Sequence, residues 1–428
     1  MSRTPIAASA SKAPNGQNAP LWQVLLRPVS REETNQRNVL IDAVGVGITA
    51  GVGSFLSVFL VRLGATPFQV GLLTAMPALT GMLLSIPVGE FLAHKANIVP
   101  WFARSRFLVL SSYVLTGLVP FLVLDHQPEA VIFIWALATL PQTVVSVAFT
   151  VVMGGVAGPG GRLTLMSRRW AILGLTNSLT VLIVGQILEK FSFPLNYQVV
   201  FIGSAVGALI RVIFSSSLKM PPQEVPEGQV GLVQALREYG GAIRRHKPFS
   251  NFLTAQFVFR WGMAFAVPLL PIYWVRSVGA TDAQISMINS ANTFVMMLSY
   301  FFWAHVAARK GERPVLLISA FGVSFYPLMT ALTHSPGLLP LWAALAGFFV
   351  GGTDLVFFDV VLATCPKEHQ ATYIGIYQTT LQMATFLAPL VGTELSNVVG
   401  LVPALILATV FRLAGAVMLK TLGVGKGI

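Results

Sequence analysis

Apolar runs of about twenty residues recur along the chain, separated by short polar or basic segments. A bilayer core of roughly 30 Å takes about 20 residues per helical span. On that rule the runs predict twelve spans, at 39–61, 68–92, 104–124, 130–153, 169–188, 197–217, 251–275, 283–307, 314–333, 338–362, 372–394 and 401–419. Ahead of the first, Ser30-Arg31-Glu32-Glu33 has capping-box spacing, so that helix is expected to start before its apolar run. Leu21, Trp22, Val24, Leu25 and Leu26 suggest an interfacial segment. Residues 1–19 are rich in Ala, Ser, Pro and Asn, show no signal-peptide pattern, and are expected to be disordered.

Composition agrees with this pattern. Of 428 residues, 54% are hydrophobic and 10% charged. The mean hydropathy is +0.72, and soluble domains are about a quarter charged. The net charge of +12 would suggest nucleic acid in a soluble protein, but here the basic residues sit in short loops on one side. With the N-terminus inside, Lys95, Arg104, Arg106, Arg168, Arg169, Arg244, Arg245, Arg309, Lys310 and Arg313 all fall inside, whereas the outer loops hold Arg62, Lys190 and Arg276. The positive-inside bias therefore places both termini in the cytoplasm of a multi-pass protein of the plasma or inner membrane, with the bilayer, not nucleic acid, as its partner. The single cysteine, Cys365, excludes an internal disulfide and a Cys-based metal site.

The longest inner loop divides the spans six and six. The expected organisation is a tail at 1–38, a six-helix bundle at 39–218, a linker at 219–250, a second bundle at 251–420 and a tail at 421–428. Within the linker, Val230 to His246 is basic, and Leu232, Val233, Leu236 and Ile243 share one helical face, which suggests an interfacial helix. The halves echo each other. Gly64-Ala65-Thr66 with Gln69 matches Gly279-Ala280-Thr281 with Gln284, and Ala93 and Lys95 match Ala308 and Lys310 at the same offset. Arg211 stands eight residues before Lys219, and Arg412 eight before Lys420.

This layout resembles the major facilitator superfamily. The family's loop signature, roughly G-x-L-a-D-r-x-G-r-r, is matched after span eight by Arg309, Gly311 and Arg313, and after span two by Gly89 with Leu92. Ala308 and Ala93 stand where the acidic residue belongs, so the family's usual cytoplasmic charge latch is incomplete. The proline-containing signature of drug:proton antiporters is absent from span five, which has Gly174 and Gly185 alone. The resemblance implies an all-α fold of two pseudo-symmetric six-helix bundles, with spans one, four, seven and ten lining a central cavity.

Charges inside apolar spans are the informative chemistry, because burying them in lipid is costly and usually functional. By the resemblance, Asp42, Arg260, Asp354 and Asp359 are cavity candidates, while Arg211 and Arg412 on peripheral spans are expected to be structural. Gln256 and Trp261 flank Arg260, and a cation beside aromatic walls suits an anionic or amphipathic solute. Arg260 and Asp354 each lie thirteen residues from a cytoplasmic basic residue, Lys247 and Lys367, and are expected to pair at one depth. The glycines of Gly45-Val46-Gly47-Ile48-Thr49-Ala50 fit helix packing better than a dinucleotide loop, since no strand precedes them. No catalytic motif, metal site or cofactor fingerprint is present, so an enzyme is not expected. The reading is a monomeric secondary transporter moving a small organic solute by alternating access. Asp42, Asp354 and Asp359 are candidates for a coupling proton, with uniport as the alternative mode. A non-transporting sensor or assembly protein on the same scaffold is the alternative function.

Overall fold

The computed structural model describes residues 28, 30–157, 162–220, 246–364 and 370–425. The expected interfacial segments at 21–26 and 230–246 fall outside these residues, apart from His246. The helices are α1 Arg31–Arg62, α2 Pro67–Ala93, α3 Val99–Leu122, α4 Gln127–Ala157, α5 Arg162–Lys190, α6 Leu195–Ser216, α7 Lys247–Ser277, α8 Asp282–Lys310, α9 Glu312–Ala331, α10 Leu339–Thr364, α11 Gln370–Val399 and α12 Leu401–Thr421. Short breaks interrupt α1 at Ser54–Phe55, α6 at Ser204, α7 at Val267–Pro268 and α9 at Phe325.

Ten of these segments are long and apolar enough to cross a membrane. The other two, α8 and α11, have 29 and 30 residues but carry more polar side chains, among them Asn289, Asn292, Gln378 and Gln382. Several helices outrun their apolar stretches. The fifth begins at Arg162 rather than 169, and the fourth ends at Ala157 rather than 153. Apolarity marks the lipid-immersed part of a helix, whereas backbone hydrogen bonding continues into the polar layer beyond it.

The packing of the first six helices is repeated by the last six. The pairs α1·α5, α1·α6, α2·α4 and α3·α6 have their counterparts in α7·α11, α7·α12, α8·α10 and α9·α12. Between the two sets, α2 packs on α11 and α5 on α8. Each of the sequence echoes has a structural cause. Gly64 and Gly279 adopt φ of 86° and 67°, a region costly for residues with a Cβ. Two residues on, Thr66 and Thr281 cap the next helix, each accepting from the backbone N–H of Gln69 or Gln284, whose side chain reaches back to the threonine N–H. The predicted box at Ser30 and Glu33 is also formed.

Arg412 shows how a buried cation is satisfied here. Pro327 has no N–H to offer the Val323 carbonyl one turn earlier, and the break at Val267 turns that residue's N–H to Ala264 instead of Met263. The Arg412 guanidinium donates to Val323 O (3.2 Å), Met263 O (3.4 Å) and Gly262 O (3.1 Å). One side chain thus ties α12 to two broken helices, the structural role expected of it. A Cβ on Gly262 would overlap the Arg412 stem, and one on Gly45 would overlap that of Arg211, so each half opens a small-residue gap for its arginine. Gly45 lies within α1, as the packing reading of its glycine stretch expects.

Candidate functional site

The seam between the two sets of helices is tight at one end, and on its α5–α8 side it loosens further along. Near the α1–α2 and α7–α8 turns, a Cβ on Gly185 of α5 would lie 2.2 Å from Ser286 Oγ of α8. On the other seam, a Cβ on Gly71 of α2 would lie 2.6 Å from Thr393 Oγ1 of α11. Three turns along α5, Gly174 has only the flexible Met297 at 3.4 Å, and Gly89 near the end of α2 meets nothing nearer than Val147 of its own half at 3.9 Å.

The closed end is held by polar contacts across the seam. Arg62 at the end of α1 is 3.2 Å from Asp282 Oδ1 at the start of α8 and donates to Ala280 O at 2.9 Å. Arg276 at the end of α7 reaches back to Ala65 O. Ala65 and Ala280 are the matching residues of the repeated turn, so the two reaches are reciprocal. Tyr197 of α6 donates to the same Asp282 oxygen (2.8 Å), and the Thr281 hydroxyl donates to Glu189 Oε1 at the end of α5 (3.4 Å).

Midway along the second six helices, Arg260 of α7 and Asp354 of α10 form an ion pair, Nη2 to Oδ1 3.4 Å. The expected pairing is present, but the partners are not sealed off, being 20% and 39% exposed. The guanidinium lies 4.8 Å from the ring centre of Phe357, one turn beyond Asp354 and fully buried. Tyr300 of α8 is within electrostatic reach of Asp354. One turn before Arg260, the Gln256 amide is buried with neither its oxygen nor its nitrogen bonded. Trp261 packs on Phe257 of its own helix with ring centres 5.8 Å apart, half-buried. This group combines a cation, an anion, an aromatic wall and a free amide at mid-helix depth.

The other candidates lie elsewhere. Asp42 is buried and ion-paired with Arg106 of α3, with Arg169 of α5 at 3.8 Å. The sequence reading counts Arg106 and Arg169, at the inner ends of their spans, only toward the positive-inside bias and so misses them as site residues. The available signal is helical phase, since Arg106 falls on the α3 face that buries Phe102 and Leu110. Asp359 lies on α10, but its side chain is outside the described ones. Of the loop-motif residues, Gly311 joins α8 to α9 at φ 83°, Arg309 is exposed, Arg313 packs against Gly425, and Gly89 is near the end of α2. Among the described residues no three His, Cys, Asp or Glu side chains gather in a way that could hold a metal ion.

Residues 252–424 match the family model of the Major Facilitator Superfamily. The second half of the chain is thus similar to the major facilitator superfamily. Among its relatives, the major facilitator-type transporter psiT2 of Psilocybe cyanescens is 27% identical over 183 residues, 42% of this chain and 32% of that protein. The multidrug resistance protein MdtG of Enterobacter lignolyticus is 29% identical over 154 residues, 34% of this chain and 36% of that one. The matched stretches thus span about a third of the length of these relatives. Among solved structures, a mutant of the nucleoside transporter NupG superposes with a TM-score of 0.71 at 12% identity, covering 92% of this chain and 100% of that one. A POT family transporter in complex with 5-aminolevulinic acid gives 0.70 at 10% identity, covering 90% and 94%. With its many apolar helices, the chain is a multi-pass membrane protein.

Proposed function

We propose that this chain is a secondary transporter that moves a small organic solute by alternating access. It has twelve spans in two bundles, 39–218 and 251–420, joined by the cytoplasmic linker 219–250, with cytoplasmic tails at 1–38 and 421–428. It works as a monomer in the plasma or inner membrane. The observation that carries the reading is the Arg260–Asp354 pair. These two charges at mid-helix depth stay partly exposed while the seam beyond them is fastened at the Arg62–Asp282 end. Charges inside a membrane mark solute or ion pathways, and a midplane site between rocking halves is the usual transporter arrangement. The positive-inside bias makes the shut end extracellular, so the conformation is inward-open.

A solute with an anionic group suits Arg260, displacing Asp354 from it, while Phe357 and Trp261 receive its apolar part and Gln256 supplies both a donor and an acceptor. Asp354 is the candidate proton carrier, and Asp359 lies toward the cytoplasmic end of the same helix. Asp42, tied to Arg106, serves the packing of the first bundle. The relatives include proteins named for multidrug resistance, so apolar organic anions belong in the first panel of solutes. No observation favours the sensor reading.

The test is counterflow uptake in proteoliposomes with a panel of organic anions chosen by thermal shift. Uptake of at least one, lost in Arg260→Ala, supports the proposal. A protein that binds such a solute but never moves it across the bilayer overturns transport and returns the sensor.

A further inference from the structure

Inside the first six helices two arginines meet one carboxylate, and a third lies about two turns further along α1. Arg106 of α3 is ion-paired with Asp42 Oδ1, and Arg169 of α5 lies 3.8 Å from Oδ2. Arg211 of α6 donates to Thr49 Oγ1 at 3.0 Å and shares the electrostatic surroundings of Arg106, Asp42 and Arg169. Three guanidinium groups and one carboxylate leave a formal surplus of two positive charges. The Arg106 and Arg169 side chains are only 2% and 4% exposed.

Arginine does not escape such a position by losing its proton. Phe102 and Phe149 lie under Arg106 and Arg169 at 4.0 and 4.6 Å, and their ring faces offset part of the charge but carry none of their own. The Nε–H groups of Arg106, Arg169 and Arg211 are all buried and unbonded. The counterpart in the second half is different, since Arg412 donates to three backbone carbonyls. Among the described residues, Asp42 is the carboxylate that ion-pairs within this cluster.

We propose that the surplus is balanced by a bound small anion, of chloride or formate size, held by the unbonded N–H groups of this arginine cluster. The ion would complete the contacts of α1 with α3, α5 and α6 and act as a structural ligand of the first bundle. This site is separate from the Arg260–Asp354 group and does not depend on the solute assignment. A net positive buried cluster gains from any compact anion that its N–H groups can reach, and gluconate serves as the bulky control.

The experiment uses the full chain purified in detergent, with its unfolding temperature followed as sodium chloride or sodium formate replaces sodium gluconate at constant ionic strength. The expected result is a saturable rise in chloride and in formate. Arg169→Gln should flatten it, whereas Arg104→Gln, an exposed residue on the same turn of α3 as Arg106, should keep it. Asp42→Asn raises the surplus and should move half-saturation to a lower chloride concentration. Equal unfolding temperatures in chloride and gluconate for the unmodified protein overturn the proposal, and so does a chloride response undiminished in Arg169→Gln. Should neither variant fold, the comparison of salts on the unmodified protein decides alone.

Discussion

Arg62 and Asp282 meet at 3.2 Å across the seam, so the last turn of α1 is fastened to the first turn of α8. Both side chains are partly exposed, 29% and 12%, so the pair adds only about 0–1 kcal/mol to stability. Its weight falls instead on the balance between conformations. Asp282→Asn also weakens the acceptor for Tyr197 and should favour opening of this end. In a variant with Cys365 replaced by Ser, maleimide labelling of Ala280→Cys should quicken about fivefold for each kcal/mol of closure lost. Unchanged labelling would show that the pair does not hold the end shut.

Gly185 gives a second handle on the same end. A leucine there cannot fit beside Ser286 unless α5 and α8 separate. In spin-labelled protein with labels at Leu63 and Val278, Gly185→Leu should lengthen the distance by several ångströms, about the size of the added side chain. Gly174→Ala faces only the flexible Met297 at 3.4 Å and should leave the distance unchanged.

Removal of Arg260 should impair solute binding far more than folding. The pair with Asp354 is partly exposed, so Arg260→Ala should cost less than about 1 kcal/mol of stability. The solute-induced thermal shift should disappear, and adding Asp354→Ala should not restore it. A double variant that regains binding would assign the pair a purely structural part. In proteoliposomes, Asp354→Asn should also abolish any acceleration by an imposed proton gradient, while uptake without the gradient persists.

Arg412→Met should be the most destabilising of these changes. It leaves the Val323 and Met263 carbonyls without their donor, at about 1–3 kcal/mol each when buried. The measurement is the unfolding temperature in detergent. A drop no larger than that of Arg260→Ala would mean that water takes over the vacated positions.

The helical class, the apolar stretches and the two-fold echo are all legible in the sequence, because lipid imposes strong rules on composition and length. The matched depth of Arg260 and Asp354 is also legible, from a count of residues along two helices. The rotation of each helix about its axis is not. That is why the sequence gives no sign that the Arg260–Asp354 pair stays partly exposed, and why Arg106 and Arg169 read as inner span-end charges while their phase turns them inward. The Gly-Ala-Thr repeat is visible as a match, but its meaning as a left-handed glycine and a capping box on each side emerges only with backbone geometry.

The reciprocal reach of Arg62 to the Ala280 carbonyl and of Arg276 to the Ala65 carbonyl makes closure bivalent. While one arm holds, the other is kept at high effective concentration near its target and rebinds readily. Loss of either arm alone should therefore be buffered, and loss of both should release the end more than the two single effects combined. Because each arm grips a backbone carbonyl of a turn stiffened by its own cap, the gripped surface does not depend on which side chain stands at the alanine. The lid behaves as a two-point clasp whose strength lies in simultaneity.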